Sequence, residues 1–183
     1  MTHCIALLRG INVGRAKRIP MAELRALIEG LGFSEVRTLL NSGNVVLQTA
    51  RPSGGKVAAS IAAAIENGFG FTVPVVVLTA RELNAIVVEN ALDQGTVDPS
   101  KLLVAFVASS STLARAKPLL AESWVPDAIS IGSKAAYLWC ANGVIQSKLA
   151  QAFSRATGDG ATTRNWATVL KLQASATTGQ DSD

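Results

Sequence analysis

The strongest constraint on how this chain folds is the order in which its hydrophobic periods change. His3 to Leu8, HCIALL, is a short continuous apolar run, the pattern of a strand covered on both faces. Met21, Leu24, Leu27, Ile28 and Leu31 then recur at helical spacing, with Pro20 suited to the start of the helix and Gly32 to its C-terminal cap. EVRTLL (Glu35 to Leu40) and NVVLQT (Asn44 to Thr49) read as two strands joined at Asn41-Ser42-Gly43, a hairpin signal. Gly54 to Gly70 reads as a second helix with Gly68 as its stop, and Val73 to Thr79 as a strand.

The resulting order, β-α-β-β-α-β, is that of a split βαβ, ferredoxin-like unit. A short helix, Ala80 to Asn90, follows, and the turn-rich segment Asp93 to Lys101 reads as a linker. Beyond it come a strand, Leu102 to Val107, and a helix, Ser111 to Leu120, with Pro118 near its end. Next is a hairpin of Ala128 to Gly132 with Ala135 to Cys140. Two helices close the pattern: Ile145 to Ala156, with Ile145, Leu149 and Phe153 on one face, and Thr163 to Leu172, with Trp166, Val169 and Leu170 on one face. The expectation is therefore an α+β protein of two small ferredoxin-like (split βαβ) subdomains packed together, the second lacking an evident last strand. Their expected bounds are 1–92 and 102–173, with a linker at 93–101 and a frayed tail at 174–183. Runs as apolar as CIALL and VPVVVL need cover on more than one side, from the other half or from a second copy of the chain.

Function classes narrow by exclusion. One histidine, His3, disfavours histidine-based metal sites and most hydrolase triads. Cys4 and Cys140 lie in apolar runs with no basic neighbour to hold a thiolate, so both read as buried and reduced. The apolar run at the N-terminus is too short for a signal peptide and no run suits a membrane span, so a cytoplasmic location is expected. No motif names a cofactor or a metal.

The net charge of +4 directs attention to anions. RGINVGRAKRIP, Arg9 to Pro20, holds two glycines, three arginines and a lysine but no acid, and it follows directly on the first strand. In a split βαβ unit this loop and the turn Leu40 to Asn44 end on the same edge of the sheet, where backbone amides near the helix start at Pro20 suit an anion. The candidate ligand-binding residues are Arg9, Gly10, Asn12, Gly14, Lys17, Arg18, Asn41, Ser42, Gly43 and Asn44. The competing reading is structural: the glycines supply positive φ, the asparagines satisfy turn backbone, and the cations are solvated. A second candidate is a basic ridge at the C-terminal end, with Lys148 and Arg155 on one helix and Arg164, Asn165 and Lys171 on the next. Trp166, on the apolar stripe, reads as core. The first acid is Glu23, so the corner lacks a local carboxylate for a metal or for acid-base work. His3 falls at the bottom of the first strand and Ser42 at the turn on top, which disfavours a Ser-His dyad. No catalytic residue is assigned. The expected partner is a phosphate-containing small molecule, ahead of nucleic acid, whose stacking aromatics are missing from the central strands; the alternative functions are a nucleic-acid-associated basic protein and an enzyme acting on a nucleotide-like substrate.

The combination ALLRGINVG, PMAELRALIEGLGF, VRTLLNSGNVV, SKL and TTRNWATVLKL closely resembles a largely bacterial family, domain-of-unknown-function family 1697, from about His3 to Leu172. The resemblance implies two small α+β subdomains of ferredoxin-like character and no established activity, substrate or cofactor. Its recurrent polar positions correspond to Arg9, Gly10, Asn12, Gly14, Asn41, Ser42, Gly43 and Asn44, and to Ser147, Lys148, Arg164, Asn165 and Trp166. Family members commonly continue GINVGG, whereas Arg15 follows Gly14 here.

Overall fold

The computed structural model describes residues 1–50, 53–95 and 97–177. These divide into two compact units, Met1–Leu83 with the segment from Leu172, and Asn84–Lys171.

The first unit contains β1 (Thr2–Leu8), α1 (Met21–Gly30), β2 (Ser34–Leu39), β3 (Asn44–Thr49), α2 (Gly54–Phe69) and β4 (Val75–Thr79), and α3 (Ala80–Val88) follows. The sheet order is β2-β3-β1-β4 and every pairing is antiparallel. Alternation in β1 and β3 sends Cys4, Ala6, Leu8, Val45 and Leu47 into one core with Leu24 and Ile28 of α1 and Val57, Ile61 and Ile65 of α2. Each large aliphatic side chain buried this way contributes about 1.5–3 kcal/mol. Gly68 does not stop α2. The helix ends two residues later at Gly70, which takes φ +76° and returns its amide to Glu66. Gly68 lets the two helices approach, since a Cβ there would lie 3.0 Å from Leu27 Cδ1.

The second unit contains β5 (Leu102–Val107), α4 (Ser110–Ala116), β6 (Ala128–Ile131), β7 (Ala135–Trp139), α5 (Lys148–Thr157), β8 (Ala161–Asn165) and the start of α6 (Trp166–Thr177). Pro118 enters a 3-10 turn, Lys117–Ala121, that continues α4. Its sheet order is β6-β7-β5-β8, again antiparallel, around a core of Leu103, Ala105, Leu113, Ala136, Leu138, Leu149 and Phe153.

Three expectations are corrected here. The last strand of the second half exists: Ala161–Asn165 pairs with β5, Val104 facing Arg164, and the apparent helix start at Thr163 is strand. β-Branched Thr162 and Thr163 suit a pleated edge, and α6 begins only where Asn165 Oδ1 accepts the Thr168 amide at 2.9 Å. Ile145 is not on the apolar face of α5. It is 92% exposed in a 3-10 turn, because Ser147 caps the helix by accepting the Ala150 amide. Residues 174–177 are not frayed either. They complete α6, where Arg37 Nη2 of β2 donates to the Ser175 carbonyl at 2.9 Å, a cation at a helix C-terminus. The remainder of the expected tail, 178–183, lies outside the described residues.

Candidate functional site

The loop that follows β1 is framed before it is charged. As β1 ends, the Leu8 amide donates to the Gly43 carbonyl at 2.8 Å and the Arg9 amide to the Pro74 carbonyl at 2.9 Å. Ile11 and Ile19 return into the core, and between them Val13 to Arg18 stand out in solvent. Asn12 cinches this excursion. Its Nδ2 donates to the Ile19 and Asn41 carbonyls and its Oδ1 accepts the Ile19 amide, each at 2.9 Å, while its own amide donates to the Lys17 carbonyl at 3.1 Å. Asn12 takes φ +56° and Lys17 +50°, so the excursion is tightly wound.

The hairpin turn meets the loop at Gly43, which takes φ +79° and where a Cβ would lie 2.7 Å from Leu8 Cβ. Asn44 is fully buried, its Nδ2 donating to the Leu39 carbonyl at 3.0 Å and to Ser42 Oγ at 2.9 Å. The loop and turn thus converge on one edge. Within the candidate set, Asn12, Asn41, Gly43 and Asn44 build the frame. Arg9 is half-buried, and Gly10, Gly14, Lys17 and Arg18 are exposed, with Lys17 Nζ reaching the Thr72 carbonyl at 3.0 Å. Arg15 is exposed too, and it is not among the left-handed residues, so its position does not require glycine. Pro20 at the N-cap of α1 supplies no side-chain acceptor to the first-turn amides.

The electrostatics of this loop are one-sided. Arg9 to Pro20 carries four of the chain's 17 basic residues and none of its 13 acidic ones, which leaves 13 against 13 elsewhere. The loop therefore accounts for the whole formal excess of +4. At the opposite end of β1, His3 faces Gln48 and lies 3.2 Å from Glu35, whereas Leu7 faces Asn44; His3 and Ser42 are at opposite ends of the strands. Among the described residues, no group of three or more His, Cys, Asp or Glu side chains could hold a metal ion.

The second candidate cluster is dispersed. Ser147 is buried as the α5 cap and donates to Asp127 Oδ2 at 2.7 Å, and Asn165 caps α6. Arg164 lies in β8 rather than on a helix. It donates to Thr162 Oγ1 and the Thr163 carbonyl, and burial pulls its pKa down to about 10. Trp166 is buried with its Nε1 on Asp93 Oδ2 at 3.1 Å, while Lys148, Arg155 and Lys171 are exposed. The two cysteines are buried. Burial, aided by the Glu82 charge, pushes the Cys4 thiol up to about 11, and burial raises Cys140 as well.

Two features of the corner escaped the sequence reading. Leu40 takes φ +59° in the turn, and Val13 is an exposed aliphatic at the loop tip. A hydrophobic residue inside a run of turn formers is the only signal either position carries.

Residues 1–137 match the model of a family described as Protein of unknown function (DUF1697). The chain belongs to that family. No curated protein matches this DUF1697 member. Among solved structures, it is similar to the conserved bacterial protein SP0830 from Streptococcus pneumoniae, with a TM-score of 0.75 over 96% of this chain and 98% of that one. At 18% identity the likeness is one of fold. Among the described residues, no helix is long and apolar enough to cross a membrane.

Proposed function

We propose that this DUF1697 protein acts in the bacterial cytoplasm by binding a small phosphorylated or otherwise anionic molecule at the corner of Arg9–Pro20 and Leu40–Asn44. The observation that carries this reading is the coincidence of the chain's entire net charge with one framed loop. The frame fixes the loop backbone in advance, which lowers the ordering cost that ligand binding would meet. The first-turn amides of α1, without a side-chain cap, add partial positive charge beside it. The strand orders β2-β3-β1-β4 and β6-β7-β5-β8 support reading each unit as a ferredoxin-like split βαβ module.

The nucleic-acid alternative, built on the C-terminal basic ridge, is less favoured because Arg164 and Trp166 are both buried. A thermal-shift panel of inorganic phosphate, nucleotides and sugar phosphates tests the reading. A ligand at about 100 times its Kd stabilises the fold by about 2.7 kcal/mol, a midpoint rise of about 5–10 °C for a chain of this size. Arg9→Ala and Arg18→Ala should each remove the rise, and Arg155→Ala should leave it intact. A rise lost only with Arg155→Ala would move the site to α5.

A further inference from the structure

The two asparagine side chains that reach inward at the corner are already committed. Asn12 spends its amide on Ile19 and Asn41, and Asn44 is buried against Leu39 and Ser42. Beside the exposed polar residues Asn41 and Ser42, the corner presents to solvent cations at Arg15, Lys17 and Arg18 and two aliphatic side chains, Val13 at 73% exposure and Leu40 at 53%. One hydrogen bond, Asn12 Nδ2 to the Asn41 carbonyl, ties these two neighbourhoods together, since Val13 follows Asn12 and Leu40 precedes Asn41.

Leu40 adds a separate observation. At φ +59° it occupies a region that glycine or asparagine enters at lower cost, and a hairpin turn ordinarily places one of them there. As an exposed side chain it adds little to the core. Leu40 therefore breaks a local backbone rule while keeping about half of its apolar side chain in solvent, an outlier that motivates a role in contact.

Resting on the anion-site reading, we propose that the ligand class is a nucleoside phosphate, with its phosphate on the loop's cations and its base against Val13 and Leu40. Charge complementarity selects the phosphate. Val13 and Leu40 offer a base the apolar contact that inorganic phosphate and a bare sugar phosphate cannot use.

Titration calorimetry with adenosine 5′-monophosphate, uridine 5′-monophosphate, ribose 5-phosphate and inorganic phosphate tests this. At least one nucleotide should bind about tenfold more tightly than ribose 5-phosphate. Leu40→Asn should raise the thermal midpoint, because asparagine accepts a left-handed φ, and should lower nucleotide affinity about fivefold while leaving ribose 5-phosphate unchanged. Equal binding of nucleotides and ribose 5-phosphate, or a Leu40→Asn variant that binds nucleotide like the parent, overturns the nucleoside assignment and leaves the anion site standing. A lowered midpoint for Leu40→Asn makes Leu40 a structural residue and overturns its assigned role. Binding of none of the four probes overturns both readings.

Discussion

The two units share a strand order and differ at the corner where the first loop meets the hairpin. In the first, β1 and α1 are joined by Arg9–Pro20, with its cations, and no side chain caps the helix. In the second, β5 and α4 are joined by Ala108 and Ser109 alone, and Ser109 Oγ accepts the Ser111 amide at 3.3 Å. Its hairpin amide at Ser133 donates to the Glu89 carboxylate at 3.0 Å. One topology thus produces a corner closed by its own side chains and a corner left open and positive. The sheet makes the place; the length and charge of the strand exit decide whether a ligand can use it.

The comparison breaks most visibly at Trp166. If the second unit keeps Trp166 inside, Trp166→Ala should cost about 3–5 kcal/mol in denaturant unfolding. A variant as stable as the parent would return Trp166 to the surface and restore the C-terminal ridge as a rival site. Asn12→Ala should cost about 2–3 kcal/mol, because its side chain makes three hydrogen bonds across the corner. A loss below about 0.5 kcal/mol, the range of an ordinary surface substitution, would mean the open corner has no frame.

A third test is pH dependence. The Cys4 thiol ionises near its ordinary value of 9.0 when unfolded and at about 11 when folded. Between those values the unfolded chain has lost a proton that the folded chain keeps, so stability should fall as pH rises through that window. Cys4→Ala should flatten this fall in unfolding curves measured across the range; an unchanged slope would assign it to other groups. Ser109→Ala, the cap that closes the second corner, should cost about 1 kcal/mol. Smallest of all, Arg18→Ala should change stability by less than about 0.5 kcal/mol while removing ligand binding, the separation expected of a cation exposed for use.

Legibility in the sequence tracked how local each signal was. Period changes marked β1, α1, the hairpin and α2, because burial of one face imposes them directly on the sequence. β8 was hidden because ATTRN has no alternating apolar pattern and abuts a strongly helical segment; only its pairing with β5 reveals it. Ile145 misled for the converse reason, since its spacing to Leu149 is helical while the Ser147 cap starts the helix later. At the candidate corner the residue types were readable but their division was not. Asn12 and Arg18 are both polar loop residues, and only tertiary hydrogen bonds separate the one that ties the loop from the one that faces solvent.

If the first corner binds anions and its counterpart does not, the two should respond differently to one added anion. A titration of the 15N-labelled protein with inorganic pyrophosphate, followed by amide chemical shifts, measures both corners in one sample. Saturable shifts are expected at Gly10, Gly14 to Arg18 and the first turn of α1 from Met21 to Glu23, with Ser109 to Ser111 and Ser133 unmoved. Saturable shifts centred on Ser109 or Ser133, or none at Gly10 to Arg18 with pyrophosphate in large excess, would contradict it.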